Sequence, residues 1–232
     1  MQEVPDLRKR QANTKCKNLD VAVTATSRFE ERDLVLNKFN SQFAHPEGWV
    51  GRLVGMVLAF KNRERNAWTI SLLDIQANDQ ILEIGFGPGQ AIQEVAKLAP
   101  NGFVAGIDLS EVMVAQASKR NSAGIRSGRV LLQQGGESPL PFEDNKFDKV
   151  FAVNSMQFWA KPVDGLEEVR RVLKPGGRVV ITIQPIGAKT EQEVQSVAEK
   201  LQFQLKLVGF KQVRLETRQI KPITAISGIG MK

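Results

Sequence analysis

The 232-residue chain contains no tyrosine, one histidine (His45) and one cysteine (Cys16). The absence of tyrosine excludes an NAD dehydrogenase of the tyrosine/lysine type, and a lone cysteine excludes an internal disulfide. With one histidine and no tyrosine, carriers for proton transfer at neutral pH are scarce, so chemistry that leans on a strong acid or base is hard to assemble. Long apolar runs are missing too. The longest, Leu53 to Phe60, is interrupted by Gly55 and is too short to cross a bilayer. No secretory apolar region opens the chain, so a soluble, cytoplasmic protein is expected. Repeats and low-complexity tracts are absent, and no clustered ligand set points to a metal.

Charge is one-sided: the formal net charge is +7 and the pI about 9.6. Basic residues gather at Arg8-Lys9-Arg10, at Lys61, Arg63 and Arg65, and at Lys211, Arg214, Arg218 and Lys221. Aromatic residues do not interleave with them as a base-stacking groove requires, so no nucleic-acid partner is expected. The charge leaves room for weak contact with an anionic membrane surface. Nothing in the sequence sets an oligomeric state.

What is present centres on Ile81-Leu82-Glu83-Ile84-Gly85-Phe86-Gly87-Pro88-Gly89-Gln90. An aliphatic strand pattern ends in an acid, glycines alternate with other residues, and a helical pattern opens at about Pro88. Glycine suits such a turn because positive φ and close approach of a ligand both exclude a Cβ. The following helix start offers unpaired N–H groups and a partial positive charge. The spacing is G-x-G-x-G rather than the G-x-G-x-x-G of dinucleotide sites, which disfavours NAD. On its own the turn is also compatible with no ligand.

Residues 1–27 are polar, without sustained periodicity, and read as a loosely ordered arm. Residues 28–75 read as an N-terminal helical cap. They hold one amphipathic stretch from about Glu30, a break at His45-Pro46-Glu47-Gly48, and a longer helix from Trp49 to Leu73 with Leu53, Val57, Phe60, Trp68 and Leu72 near one face. From residue 76 to 232 strands and helices alternate. Strands are expected at 80–84, 103–108, 129–133, 147–154 and 177–183, and helices at 88–99, 110–121, 163–173 and 190–208. That order specifies a doubly wound, Rossmann-like α/β fold. Two last strands, 211–219 and 222–230, lie too close for a parallel crossover and must form an antiparallel hairpin, completing a seven-stranded, mostly parallel sheet.

From Gln80 to Lys232 the chain resembles the class I S-adenosylmethionine-dependent methyltransferases, particularly the small-molecule group that includes ubiquinone/menaquinone-type enzymes. Glu83 to Gly89 matches the first motif of that family, Gly106-Ile107-Asp108-Leu109-Ser110 the end of its second strand, and Leu140-Pro141-Phe142-Glu143-Asp144 with Phe147-Asp148 its approach to strand four. Leu166 to Gly177 matches its helix and turn before strand five, a structural element. The resemblance implies S-adenosylmethionine as cofactor, held by Glu83, Gly85, Phe86, Gly87, Gly89, Asp108, Leu109, Met113, Gly136, Glu137, Ser138, Asn154 and Ser155. Gly85 to Gly89 would pass under the methionine part, Asp108 would accept from the ribose hydroxyls, and Met113 would cover the adenine. The family often carries Gly-Asp where this chain has Gly135-Gly136. Glu137, through its side chain or backbone N–H, and Ser138 are the substitutes.

The expected reaction is transfer of a methyl group by in-line displacement to a small, partly apolar molecule, a step that needs positioning more than acid–base help. Gln157 and Trp159 are the candidate substrate contacts, and His45 the candidate for proton removal. Asn154-Ser155-Met156-Gln157 replaces the Asn/Asp-Pro-Pro-aromatic sequence of enzymes acting on exocyclic base amines, and Cys16 is far from the motifs, so base methylation is disfavoured. Two other readings stand beside this one: a non-catalytic S-adenosylmethionine-binding regulatory module, and an RNA- or membrane-associated methyltransferase.

Overall fold

The computed structural model describes residues 63–185 and 187–232. Cys16, His45, the arm and all of the cap before residue 63 lie outside the described residues.

The described chain opens in a helix through 63–73, here α1. It continues as β1 (Gln80–Ile84), α2 (Gln90–Leu98), β2 (Phe103–Asp108), α3 (Glu111–Arg120), α4 (Ser122–Arg126), β3 (Val130–Gln134), β4 (Phe147–Val153), a 3-10 turn (Met156–Phe158), α5 (Pro162–Val172), β5 (Leu173–Ile183), α6 (Glu191–Leu207), β6 (Lys211–Arg218) and β7 (Ala225–Met231). The sheet order is β3-β2-β1-β4-β5-β7-β6. The first five strands of that order pair in parallel, while β7 runs antiparallel to both β5 and β6. This is the expected seven-stranded, doubly wound sheet with its terminal hairpin.

Period-two alternation sends strand side chains to two cores. Leu82, Ala105, Val150, Ala152, Val179 and Ile181 face Leu166 and Val169 of α5 and Leu201 and Leu205 of α6. Ile81, Val104, Phe151, Val153 and Val180 face Ile70 and Leu73 of α1, Ile92 and Val95 of α2, and Ala117 of α3. Ionic ties close the ends. Asp148 accepts from Lys174 Nζ at 2.8 and 2.9 Å and from the Gln80 N–H at 2.8 Å, joining β1, β4 and β5. Arg171 clamps the loop before β4 through Glu168, Asp144 and the carbonyls of Leu140 and Phe142. The stretch around Arg171 and Lys174 therefore serves the scaffold.

One expectation needs correcting. Helix α4 falls between expected elements, because Ser122–Arg126 buries no residue and so shows no apolar period. Helix α1, the described end of the expected cap segment, packs on the sheet. Ile70 and Leu73 face the sheet, whereas Trp68 packs to the side against Ile220 and Ala225 with Leu72 beside it. The helix is thus buried on two faces, and one apolar stripe could not report both. A buried hydroxyl chain pins it. Thr69 Oγ1 lies 2.8 Å from the Arg65 carbonyl and 2.7 Å from Thr182 Oγ1 on β5, which is 2.6 Å from Ser227 Oγ on β7. Arg178 of β5 adds a hydrogen bond to the Leu72 carbonyl at 3.1 Å.

Thr182→Val keeps the shape and removes the middle hydroxyl. The expected loss is about 1–3 kcal/mol, the cost of stranding buried polar groups. It is read as a lowered urea midpoint at unchanged slope; an unaltered midpoint would show that the chain does not fasten α1.

Candidate functional site

The chain moves from β1 outward to β2 and β3 and then returns to β4, so the carboxyl ends of β1 and β4 flank the point where strand order reverses. Clefts of open α/β sheets form there. The loops after these strands meet, because Ser155 Oγ donates to the Ile84 carbonyl at 2.6 Å.

The three glycines of the β1 turn do three different jobs. Gly85 has φ +78°, and a Cβ on it would collide with the Ser155 side chain, so it lets the two loops touch. Gly89 has φ +75° and caps α2. A Cβ there would meet Ala117 at 2.6 Å and Asn121 Nδ2 at 2.8 Å, so it seats α2 on α3. Gly87 has φ +51°, yet among the described residues nothing stands within 4 Å of its Cβ position, so its bare face is turned away from them. Its N–H donates to Asp108 Oδ2 at 2.7 Å.

Asp108 ends β2, and its second oxygen accepts from the Ser110 N–H at 2.9 Å. Burial pushes its carboxyl above the ordinary range, while the Ser110 and Gly87 N–H groups pull it back. Leu109, next in sequence, is 57% exposed although apolar. Gly136 lies against it, since a Cβ there would sit 3.6 Å from Leu109 Cδ2. Met113 is buried in the first turn of α3.

Glu83 is 2% exposed, and among the described residues its Oε2 has no hydrogen-bond partner. Desolvation drives its pKa well up, the charges of Asp108 and Glu94 add to this, and the Ile92 backbone N–H opposes it. Beside it is a cavity of about 40 Å³ lined by Asn66, Glu83, Gly85, Phe86, Gly87, Pro88, Gln90 and Val153.

Several expected site residues point elsewhere. The Phe86 ring is buried beneath the turn, where Gly106 makes room for it, so Phe86 faces the cleft with backbone only. The Glu137 side chain turns inward and accepts from the Lys161 N–H at 3.2 Å at the start of α5, which leaves the backbone N–H as its means of reaching a ligand. Trp159 is 8% exposed and packs on Gly165 in the core, so its ring is a wall of the core and not of the cleft. Asn154, at φ +51°, commits Oδ1 to the Gln184 N–H at 2.7 Å. Ser138 and Gln157 are exposed, and Phe158, beside Gln157, is 43% exposed. Asn66 was not among the expected residues. Its signal lies in the helical stripe 66, 70, 73, in which a polar side chain occupies a position where an apolar one would bury. Among the described residues no group of three His, Cys, Asp or Glu could hold a metal ion, and no helix is long and apolar enough to cross a membrane.

Residues 82–181 match a family described as a methyltransferase domain. An uncharacterized methyltransferase of Bacillus subtilis, YdaC, is 33% identical over 181 residues, covering 78% of this chain and 98% of that protein. A ubiquinone/menaquinone biosynthesis C-methyltransferase of Geotalea daltonii is 32% identical over 54% of each chain. A crystal structure of a SAM-dependent methyltransferase from Aquifex aeolicus superposes with TM-score 0.59 at 20% identity, over 76% of this chain and 96% of that one, and so shares the fold. The domain match and the near-complete alignment with the Bacillus protein, on a sheet whose switch point carries the acid-and-glycine turn, place this chain in the class I S-adenosylmethionine-dependent methyltransferases, with S-adenosylmethionine as its cofactor.

Proposed function

We propose that the chain transfers a methyl group to a small, partly apolar molecule, with the cofactor lying along the carboxyl edge of β1, β2 and β4. The residues fit such a ligand. The orphaned Glu83 oxygen and the bare Gly87 face suit the amino-acid end, and Asp108 at the end of β2 suits the ribose, all along one edge. Asp108, held by two backbone N–H groups, keeps one lone pair on each oxygen free for a vicinal diol. Leu109 and the Gly136 backbone offer the flat apolar surface a purine needs, with the Glu137 N–H as an edge donor.

S-adenosylmethionine supplies a methyl group already activated on a sulfonium, so the protein's work is to hold an acceptor in line with it at roughly 3 Å. Acceptor contacts are assigned to Gln157 and Phe158, exposed after β4. His45, in the part of the chain before residue 63, remains the candidate for proton removal. The relatives named for ubiquinone and menaquinone biosynthesis support an apolar acceptor. Whether oxygen, nitrogen or carbon receives the methyl is set by that acceptor.

The observation that carries the reading is the Asp108 carboxylate fixed between the Gly87 and Ser110 N–H groups. Asp108→Ala is expected to weaken S-adenosylmethionine binding by about 1.5–3 kcal/mol, the range for a hydrogen bond to a charged group. Calorimetric titration of a folded variant tests this; unchanged affinity would remove Asp108 from the site.

A further inference from the structure

The outer face of α6 changes character along its length. Its first turns are polar, with Gln192, Ser196 and Glu199 exposed. Its last two turns present Phe203 and Leu207, 65% and 59% exposed, the two most exposed large apolar side chains among the described residues. Four residues apart, they share one face of the helix. At about 100° per residue, Lys200 and Lys206 stand about 60° to either side of Phe203. Lys211 opens β6 just beyond, and the Arg170 guanidinium lies against the turn at Gly209, its Nε 3.5 Å from the position of a Cβ there. Among the described residues none of these four cations forms an ion pair. No acid occurs between 200 and 215. The acids that border this stretch are occupied: Glu199 accepts from Gln195 Nε2 at 3.0 Å, and Glu216 pairs with Arg214 at 3.4 Å.

We infer that this end of α6 docks on an anionic lipid surface. Two apolar side chains ringed by cations are too little for the core of a protein–protein interface, which buries about 800 Å² per partner and is depleted of charge. A second copy of the chain would set lysine against lysine. A bilayer interface supplies both things the patch calls for: anionic headgroups for the lysines and Arg170, and acyl chains just beneath them for Phe203 and Leu207. The patch is the convex outside of one helix, which suits a surface that deforms around it. On its opposite face α6 buries Val194, Ala198, Leu201 and Leu205, so the patch is presented on a fixed element and little ordering cost is left for docking. Strands β5 and β6 both pair antiparallel to β7 and so run the same way. The end of α6 that leads into β6 therefore lies at the amino edge of the sheet, opposite the cleft at the carboxyl edge, and docking leaves the cleft open to water.

The test is co-sedimentation of the full chain with vesicles of phosphatidylglycerol and phosphatidylcholine in equal parts, against vesicles of phosphatidylcholine alone. The native chain is expected to bind the anionic vesicles and to be released as salt rises. Lys206→Glu, which removes a cation and adds an anion, should weaken partition by about tenfold or more. Arg126→Glu makes the same change of net charge on exposed α4, beside β3 at the other edge of the sheet, and should leave partition nearly unchanged. Phe203→Ser/Leu207→Ser should weaken it by about tenfold, whereas Leu98→Ser, at a position 51% exposed on α2, should not. All these positions are exposed, so urea midpoints should stay where they are. A native chain that ignores anionic vesicles overturns the inference. Equal losses in Lys206→Glu and Arg126→Glu would also overturn it, because net charge alone would then be at work. So would partition that survives Phe203→Ser/Leu207→Ser. A dimer in solution that the same double variant dissociates would assign the patch to a second copy instead.

Discussion

Gly87→Val is expected to abolish S-adenosylmethionine binding while leaving the sheet folded. The two halves of that expectation have separate causes. At φ +51° a β-branched residue is strained, at a cost on the order of 1–3 kcal/mol. That strain is local, because no described residue stands within 4 Å of the new Cβ. What the side chain does fill is the open space above the turn, between the cavity at Glu83 and the carboxylate of Asp108. A matched control separates strain from obstruction. Gly128, between α4 and β3 at the amino end of the sheet, also has positive φ (+73°) and also has no described residue within 4 Å of its Cβ position. Gly128→Val should show a similar drop in melting temperature and keep its full thermal shift with the cofactor. Retained ligand stabilisation in a folded Gly87→Val protein would mean that the ligand does not pass over this turn.

The contrast among Gly85, Gly87 and Gly89 also marks how far sequence reading reaches. The strand–turn–helix and its place before β2 are legible, because period two and period 3.6 are written in neighbouring residues. The division of labour among the glycines is not, since each depends on a partner far along the chain: Ser155 for Gly85, Ala117 and Asn121 for Gly89, open cleft for Gly87. Glu137 and Trp159 each lie next to the cleft in sequence, but Gly165 on α5 gives both a place to pack inward, and no local period encodes that direction for either side chain. Strand boundaries held closely where both ends are marked by turn residues, as at Gln80–Ile84 and Phe103–Asp108. Strand β5 instead begins at Leu173, because its first residues join the sheet across a register shift between Phe147 and Lys149 that no local pattern encodes. For α1 the sequence showed a helix with apolar faces, yet a helix over a sheet's edge and one wedged between a sheet and a loop differ only in what lies against them.

Glu83→Gln is expected to weaken S-adenosylmethionine binding by about 3 kcal/mol, roughly a hundredfold, while making the free protein relatively more stable as pH rises. The reason is that Glu83 is an acid kept where an acid does not belong. It is buried, near Asp108 and Glu94, with one oxygen unpaired among the described residues, and its pKa is pushed well above the usual carboxylate range by desolvation and those charges. An unfolded glutamate releases its proton near pH ~4.3. Between that pH and its folded pKa the native chain retains a proton the unfolded chain has lost. Unfolding then releases protons, so stability falls as pH rises, by about 1.4 kcal/mol per unit for this one group. Below the unfolded pKa the penalty is absent. Glutamine does not titrate, so the stability difference between variant and native chain should widen in favour of the variant as pH rises from about 4. A cationic end group entering the cavity reverses the balance: it stabilises the carboxylate and drives the proton off. Binding to the native chain should therefore release a proton and tighten as pH rises, and the Gln variant should show neither effect. Calorimetry in two buffers of different ionisation heat measures the released proton directly. Equal binding heats in both buffers, together with parallel stability profiles for the native chain and Glu83→Gln, would mean that Glu83 is ionised from the start and that its burial is relieved by something other than the ligand.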